Sequence, residues 1–231
     1  MTTQREITDF YDRMVFPSKT SHRAYSALVP NNVKGLKVGD FGCGQSLFMD
    51  SFKKAECDAI FLDISPNALR TIDYGGRINA SLTDIPLGDE YMDIIYCIGV
   101  VHHIPEMEKA ISELLRVLRK GGRLHLGVYA ERSFQATLRR MYDKTKSKII
   151  KNILYSLGGV LIWLKNYKNG LRFGSMEQHQ RIDDLFKTPL VRYLPVDFYL
   201  KVMKRYRIKV HGIRRISSMN IITVEKIGSS G

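Results

Sequence analysis

Short apolar runs alternate with amphipathic segments over the first 130 residues of this chain. Four runs have the length and composition of buried strands, and they cover residues 36–41, 59–62, 93–98 and 123–129. Between the last two, residues 106–119 have helical spacing, and the apolar positions that share one face are Ile111, Leu114, Leu115 and Leu118. Buried strands that alternate with helices predict an α/β fold.

The C-terminal part of the chain has a different pattern. Residues 196–206 are spaced as a helix, and residues 207–213 and 220–226 have the composition of strands. A short turn around Ser217 and Ser218 separates the two strands. The sequence therefore predicts a helix followed by a β-hairpin.

A glycine-rich turn follows the first strand. Residues 38–46 read Val-Gly-Asp-Phe-Gly-Cys-Gly-Gln-Ser, so the apolar run ends in Asp40 and two glycines, Gly42 and Gly44, before a helical segment at residues 47–54. Glycine adopts positive φ and has no Cβ, which lets a ligand approach the backbone closely. The turn predicts a site for a nucleotide-like ligand, where Asp40 contacts the ligand or caps the helix.

Acidic residues follow the next two strands. Asp63 ends the second apolar run, and a carboxylate there suits hydrogen bonding to a ribose diol. Asp84 follows a third short run, where it would accept the exocyclic amine of adenine while Ile85 packs on the ring. Thr-Asp-Ile-Pro is also good turn chemistry, so a purely structural role for Asp84 stays open.

Two histidines follow the run at residues 93–98, which is the fourth strand along the chain when the short run before Asp84 is counted as the third. They lie at the carboxyl end of the sheet, where open α/β sheets place their ligands. Either His102 or His103 could take a proton from an O–H or N–H group of a substrate. The alternative is that one of them caps or packs beneath the next helix. His103 is the preferred catalytic candidate.

The order of these motifs resembles the class I S-adenosylmethionine-dependent methyltransferases, specifically the type 11 group related to quinone-biosynthesis methyltransferases. The matching stretches are Asp40-Phe41-Gly42-Cys43-Gly44, Phe61-Leu62-Asp63-Ile64-Ser65, Thr83-Asp84-Ile85-Pro86, Val100-Val101-His102-His103 and residues 115–122. One departure is Ser46, where many relatives have a third glycine. A dinucleotide-binding G-x-G-x-x-G would need glycine at Leu47, so a nicotinamide enzyme is the weaker interpretation.

The resemblance implies a Rossmann-like α/β fold with a mostly parallel seven-stranded sheet, helices on both faces and a C-terminal antiparallel hairpin. It implies S-adenosyl-L-methionine as cofactor and no metal. The implied cofactor contacts are Asp40, Gly42, Cys43, Gly44, Asp63, Ile64, Asp84, Ile85, Ile98 and Gly99. The candidate substrate contacts are Tyr11, His103 and Tyr129, of which Tyr11 could contact the cofactor instead.

Four parts of the chain are expected. Residues 1–33 form an N-terminal helical lid whose aromatic residues could close over the cofactor, and these are Phe10, Tyr11, Phe16 and Tyr25. Residues 34–130 form the cofactor-binding core, residues 131–190 an inserted substrate lid, and residues 191–231 the helix and hairpin that complete the sheet.

Charge divides the chain unevenly. Residues 1–130 have 15 basic and 16 acidic side chains, whereas residues 131–231 have 21 and 7, so the second half has a net charge of +14. This asymmetry favours an acidic partner such as nucleic acid, an anionic membrane or a phosphorylated substrate. The three cysteines have no disulfide or metal spacing, and no apolar signal segment begins the chain, so a cytoplasmic protein is expected.

Residues 139–168 combine basic side chains with an uncharged stretch, residues 152–164. This stretch is too short to cross a bilayer, but a helix of this kind could lie in a membrane interface with Tyr155 and Trp163 as anchors. The favoured alternative is a lid whose leucines and isoleucines face the substrate. Gly158 and Gly159 predict a hinge or a helix break in its middle.

Three functions are consistent with the sequence. The first is methyl transfer to a small, apolar or amphipathic metabolite. The second is methylation of RNA, favoured by the basic half and by a likeness of residues 100–104 to transfer-RNA wobble-uridine methyltransferases, although no RNA-binding module is evident. The third is a non-catalytic scaffold that binds the cofactor. The oligomeric state cannot be predicted.

Overall fold

The fold is a seven-stranded sheet with helices on both faces. A computed structural model describes residues 3–14, 25–166, 174–216 and 218–228. The order of strands across the sheet is β3-β2-β1-β4-β5-β7-β6. The strands are β1 (Lys37–Phe41), β2 (Asp58–Asp63), β3 (Gly76–Asn79), β4 (Met92–Ile98), β5 (Leu118–Tyr129), β6 (Ile208–Ile216) and β7 (Met219–Lys226).

Eight α-helices are described in the same residues. They are α1 (Gln4–Arg13), α2 (Met49–Lys54), α3 (Pro66–Leu69), α4 (Met107–Val117), α5 (Phe134–Lys144), α6 (Lys148–Asn166), α7 (Met176–Lys187) and α8 (Val196–Met203). Two 3₁₀ turns are also described, Val101–His103 after β4 and Lys204–Tyr206 after α8. Phe16 of the predicted lid and Ser217 of the predicted turn lie outside the described residues, as do residues 167–168 at the end of the basic segment 139–168.

The sheet is parallel from β3 to β5, and β7 runs antiparallel to both of its neighbours. The carboxyl ends of β1, β2, β4 and β5 therefore share one edge. The glycine turn, Asp63, the histidine pair and Tyr129 all follow strand ends at that edge. The predicted fold class is confirmed.

Both faces of the sheet are covered because its central strands are apolar on both sides. Successive side chains of β4 point to opposite faces, so Ile95 and Cys97 pack in the core cluster with α4 and α8, whereas Ile94 and Tyr96 pack in the cluster with α2. All three cysteines are buried and free, as expected for small apolar side chains.

Several element ends differ from the sequence prediction. Helix α4 ends at Val117 rather than Arg119, because Leu118 already pairs with Met92 as the first residue of β5. The C-terminal helix is regular only to Met203 and then tightens into the 3₁₀ turn.

The predicted break at Gly158 and Gly159 is wrong, because α6 runs unbroken through both glycines. Helix α7 packs closely against them. A Cβ built at Gly158 would lie 2.5 Å from Phe186, and one at Gly159 would lie 2.9 Å from Ile182. The glycines thus permit a close contact between helices, which outweighs their low helix propensity.

The insertion has a small core of its own. Its buried residues are Leu138, Leu154, Ile162, Ile182, Leu185 and Phe186, contributed by α5, α6 and α7. The expectation that the leucines and isoleucines of residues 152–164 face the substrate is therefore not met, since Leu154 and Ile162 pack in this core. Arg139 is also not part of an exposed basic surface, because it is buried and paired with Asp143.

Candidate active site

The glycine turn has the backbone conformation that its sequence predicts. Gly42 and Gly44 have φ of 76° and 53°. A Cβ at Gly42 would lie 2.4 Å from Val100, so this glycine permits close contact between the turn and the loop after β4. Among the described residues, apart from its two neighbours in the chain, no heavy atom lies within 4 Å of the corresponding position at Gly44. Gly44 therefore presents open backbone to a ligand.

Ser46 explains how the turn tolerates a residue other than glycine. Its φ of 58° is also left-handed. Its hydroxyl donates to Asp40 Oδ2 at 2.6 Å and accepts from the backbone N–H groups of Phe48 and Met49, both at 3.0 Å. Ser46 rather than Asp40 therefore caps α2. Burial is the main cause that raises the pKa of Asp40 to about 7.

Asp63 is held by backbone hydrogen bonds at the end of β2. Its Oδ2 accepts from the N–H of Gly44 and its Oδ1 from the N–H of Ser65, each at 2.8 Å. Burial raises the pKa of this carboxyl, and the two backbone N–H groups partly offset that effect. Each carboxylate oxygen retains a further lone pair, so Asp63 can also accept from a diol.

The other predicted cofactor residues occupy different surroundings. Asp84 is exposed, whereas Ile85 is packed in the main core and donates its N–H to Glu113. Ile64 and Ile98 are half-buried and Cys43 is buried. Gly99 has a φ of 82°. Their contacts with a cofactor stay predictions.

Asp12, which the sequence analysis missed, fixes α1 over the loop after β2. Its Oδ1 accepts from the Ser65 hydroxyl at 2.7 Å, and its Oδ2 accepts from the Asn67 side chain at 2.9 Å. Its neighbour Tyr11 then lies at the end of β4, in an edge contact with the ring of His103 at 5.5 Å. Two consecutive residues of α1 therefore connect the cofactor loop with the histidine pair.

The tautomer of His103 is fixed by its surroundings. Its Nδ1 lies 2.7 Å from the carbonyl oxygen of Leu190. A carbonyl can only accept, so Nδ1 carries the hydrogen and Nε2 carries the lone pair in the neutral ring. Burial lowers the pKa of His103, although the negative charge of Asp184 opposes this effect. The ring is thus a neutral hydrogen-bond acceptor at Nε2.

His102 is fully buried, and among the described residues neither of its ring nitrogens has a hydrogen-bond partner. Its ring packs 4.2 Å from that of Tyr129. Burial lowers the pKa of His102 well below its usual value, so the ring is neutral. An unpaired buried donor and acceptor is costly, which favours a polar ligand group next to His102.

Asp184 of α7 joins the two tyrosines predicted to contact substrate. Tyr129 donates to its Oδ2 at 2.8 Å, and Tyr11 donates to its Oδ1 at 3.2 Å. Burial and the charge of Asp184 raise the pKa of both phenols well above 10, so both remain donors. Tyr193 stacks on Tyr129 at 5.7 Å. The insertion thus closes an aromatic and polar cluster at the strand ends.

The end of α7 that carries Asp184 is itself held in place. Buried Arg139 donates to the carbonyl oxygens of Leu185 and Thr188 at 3.1 and 3.2 Å. Carbonyls at the C-terminal end of a helix lack partners within the helix. A positively charged guanidinium there also interacts favourably with the helix dipole. Arg139 therefore positions α7 relative to the cluster.

A family model described as a methyltransferase domain matches residues 39–126, the part that contains the glycine turn, Asp63 and the histidines. Residues 39–126 therefore form a methyltransferase domain of the kind that this model describes. S-adenosylmethionine is the cofactor that this match indicates.

Three curated relatives share 27–31% identity with parts of this chain. It is 31% identical over 136 residues to the uncharacterized protein MJ0638 of Methanocaldococcus jannaschii, covering 52% of this chain and 59% of that one. It is 31% identical to a malonyl-[acyl-carrier protein] O-methyltransferase of Pectobacterium atrosepticum, covering 53% and 50%. It is 27% identical to the ubiquinone/menaquinone biosynthesis C-methyltransferase UbiE of Campylobacter jejuni, covering 67% and 68%. The chain thus spans only about half to two thirds of these relatives.

One further relative is a transfer-RNA enzyme. The chain is 32% identical over 131 residues to the tRNA (carboxymethyluridine(34)-5-O)-methyltransferase alkbh8 of Xenopus tropicalis, covering 54% of this chain but 19% of that one.

Solved structures share the fold at lower identity. An S-adenosylmethionine-dependent methyltransferase from Listeria monocytogenes has a TM-score of 0.63 at 12% identity and covers 92% of this chain and 100% of its own. The 1,6-didemethyltoxoflavin-N1-methyltransferase of Burkholderia thailandensis, solved with S-adenosylhomocysteine, has a TM-score of 0.60 at 13% identity, covering 99% and 92%.

The residues at the ends of β1 and β2 have groups that fit this cofactor. Gly44 offers open backbone and Asp63 offers carboxylate lone pairs at neighbouring strand ends. These are the groups that approach and hydrogen-bond a nucleoside in folds of this type. Cofactor binding by Gly44 and Asp63 stays a prediction.

Proposed function

We propose that this protein transfers a methyl group to a small, apolar or amphipathic metabolite. The single observation that carries the proposal is the cluster at the strand ends, where Tyr11, Tyr129 and Asp184 meet next to His102 and His103. Four of these five side chains are aromatic, and sites for small organic ligands combine aromatic or apolar side chains with a few polar groups. Two relatives named for quinone biosynthesis and for an acyl-carrier-bound substrate also favour such an acceptor.

The cofactor supplies a methyl group that is already electrophilic, so the main task of the chain is to orient the acceptor and exclude water. Asp184 holds the two tyrosines in a fixed arrangement. His102 hydrogen-bonds a neutral polar group of the acceptor. His103 takes a proton at Nε2 when the acceptor must lose one, since Nδ1 is committed to Leu190.

The RNA alternative has one specific observation in its favour. The basic half of the chain is compatible with phosphate contacts, and a transfer-RNA methyltransferase is among the relatives. Against it, the chain covers only 19% of that relative, and the sequence contains no evident RNA-binding module. The metabolite acceptor is therefore preferred.

The acceptor class can be tested with S-adenosylmethionine that carries a labelled methyl group. The purified protein is incubated with a fractionated cell extract, and the label is measured in organic-soluble, RNA and protein fractions. Label in the organic-soluble fraction supports the proposal, with Asp63→Ala as a control that should lower it. Label in the RNA fraction would instead identify RNA as the methyl acceptor. Cofactor binding without any transfer would favour the scaffold.

A further inference from the structure

Helix α6 has an exposed aliphatic face. Its six residues are 40–73% exposed, and they are Ile149, Ile150, Ile153, Leu157, Val160 and Leu164. At 100° per residue they all fall within an arc of about 100°, which contains no polar side chain of α6. They therefore form one continuous stripe, called here the α6 stripe.

The opposite side of α6 is already covered. Leu154 and Ile162 pack in the core of the insertion, and Gly158 and Gly159 contact α7. The helix is thus apolar on two sides, and within the described residues only one of these sides is buried. A soluble monomer rarely leaves a helix apolar face of this size in water, so the α6 stripe indicates a partner.

The charge around the α6 stripe indicates which partner this is. Lys144, Lys146 and Lys148 are exposed at the N-terminal end of α6, and no acidic residue occurs in residues 144–166. Helix α5, which precedes it, exposes Phe134, Arg140 and Met141. An aliphatic stripe beside a purely basic segment is the pattern of a helix that lies on an anionic bilayer.

We propose that the α6 stripe docks this protein on the surface of an anionic phospholipid bilayer. The helix lies in the interface and does not span it, and within the described residues no helix is long and apolar enough to cross a membrane. A second copy of the chain would bring its own lysines toward this basic segment. Anionic headgroups would instead attract these lysines.

Docking would also act on the candidate active site. Helix α7 packs on the buried side of α6 through Ile182 and Phe186, and the same helix carries Asp184. The α6 stripe and the tyrosine pair are therefore separated by one helix. A protein docked in this way would be suited to an amphipathic acceptor that resides in lipid.

The test measures binding of the full chain to vesicles. Sedimentation is carried out with vesicles of phosphatidylcholine alone and of phosphatidylcholine mixed with phosphatidylglycerol. Trp163, the one tryptophan of the chain, lies in α6 and reports insertion through its fluorescence. We expect binding to the mixed vesicles, a blue shift of the emission, and loss of binding at high salt.

The variant Ile153→Gln/Leu157→Gln removes the centre of the α6 stripe. Both side chains are exposed, so the fold should be retained. Val210→Gln/Ile213→Gln is the matched control, because these residues are similarly exposed on β6. The first variant should bind mixed vesicles about tenfold or more weakly and the control should bind like the wild type.

Three results would overturn the proposal. The wild type could remain unbound with both kinds of vesicle, or the control could lose binding as fully as the α6 variant. The third result is a dimer, detected by light scattering, that the α6 variant abolishes while the wild type does not bind vesicles. The partner of the α6 stripe would then be a second copy of the chain. Calorimetric affinity for S-adenosylmethionine should be the same in all variants, so failure here is distinct from failure of the proposed methyl transfer.

Discussion

Replacing Asp184 by asparagine tests the polar cluster of the candidate active site. The carboxylate accepts from Tyr129 at 2.8 Å and from Tyr11 at 3.2 Å. A hydrogen bond to a charged group contributes about 1.5–3 kcal/mol, and the longer of these two belongs at the lower end. Asparagine retains one acceptor oxygen. We therefore expect the free energy of unfolding to fall by about 2–3 kcal/mol.

For a chain of this length, that loss lowers the melting temperature by about 4–12 °C. Methyl transfer should fall about tenfold or more, because the tyrosines lose the anion that fixes their orientation. Affinity for S-adenosylmethionine should change little, since Asp63 and the glycine turn are untouched. Calorimetry measures the melting temperature and the affinity for S-adenosylmethionine, and transfer of the labelled methyl group measures activity.

The adjacent residue provides a matched control. Asp183 accepts from Tyr155 at 2.6 Å and pairs with Lys187, away from the histidines. Asp183→Asn should also lower stability but should retain methyl transfer. Equal transfer by the two variants at a temperature where both are folded would refute the assignment of Asp184 to the acceptor site. A double-mutant cycle with Tyr129→Phe measures the coupling directly.

Three further predictions concern the cofactor side and the histidine. Asp63→Ala should weaken S-adenosylmethionine binding by about 1–3 kcal/mol in calorimetry, and unchanged affinity would contradict its role. His103→Ala should retain that affinity and lower transfer about 10²–10⁴-fold, whereas intact transfer would make His103 structural. Asp40 keeps its proton in the folded chain up to about pH 7, while the unfolded chain loses it near 3.8. The free energy of unfolding of the ligand-free protein should therefore fall by at most about 4 kcal/mol as the pH rises from 4 to 7. Asp40→Asn should remove this slope in urea titrations, and an unchanged slope would assign it to other groups.

The sequence predicts the fold well because the buried strands are short, apolar and separated by helical spacing. Its errors lie where two patterns share the same residues. Leu118 fits the apolar face of α4 and also fits the start of β5, and it is buried in either case. Only its pairing with Met92 decides that it belongs to the strand.

The glycines of α6 show a different limit of sequence patterns. Low helix propensity at Gly158 and Gly159 predicts a break because propensity describes an isolated helix. In the folded chain the missing side chains make room for Phe186 and Ile182, which are more than 20 residues away in sequence. A contact between residues so far apart in sequence cannot be predicted from a local pattern.

Part of the candidate site can be predicted from the positions of its residues along the strands. His103 and Tyr129 follow strand ends, and strand ends of a parallel sheet meet at one edge, so position alone brings them together. Asp184 stands beside Asp183 in a helix, and the two have the same local chemistry. The only signal is spacing, since Asp184 and Thr188 lie one turn apart and both contact Tyr11.

A structure of the protein with S-adenosylhomocysteine and its isolated methylated product would test the candidate active site most directly. We expect the nucleoside to contact Gly44 and Asp63, and the product to contact Tyr11, Tyr129 and His102. A product bound on the exposed basic surface, away from these side chains, would contradict this expectation.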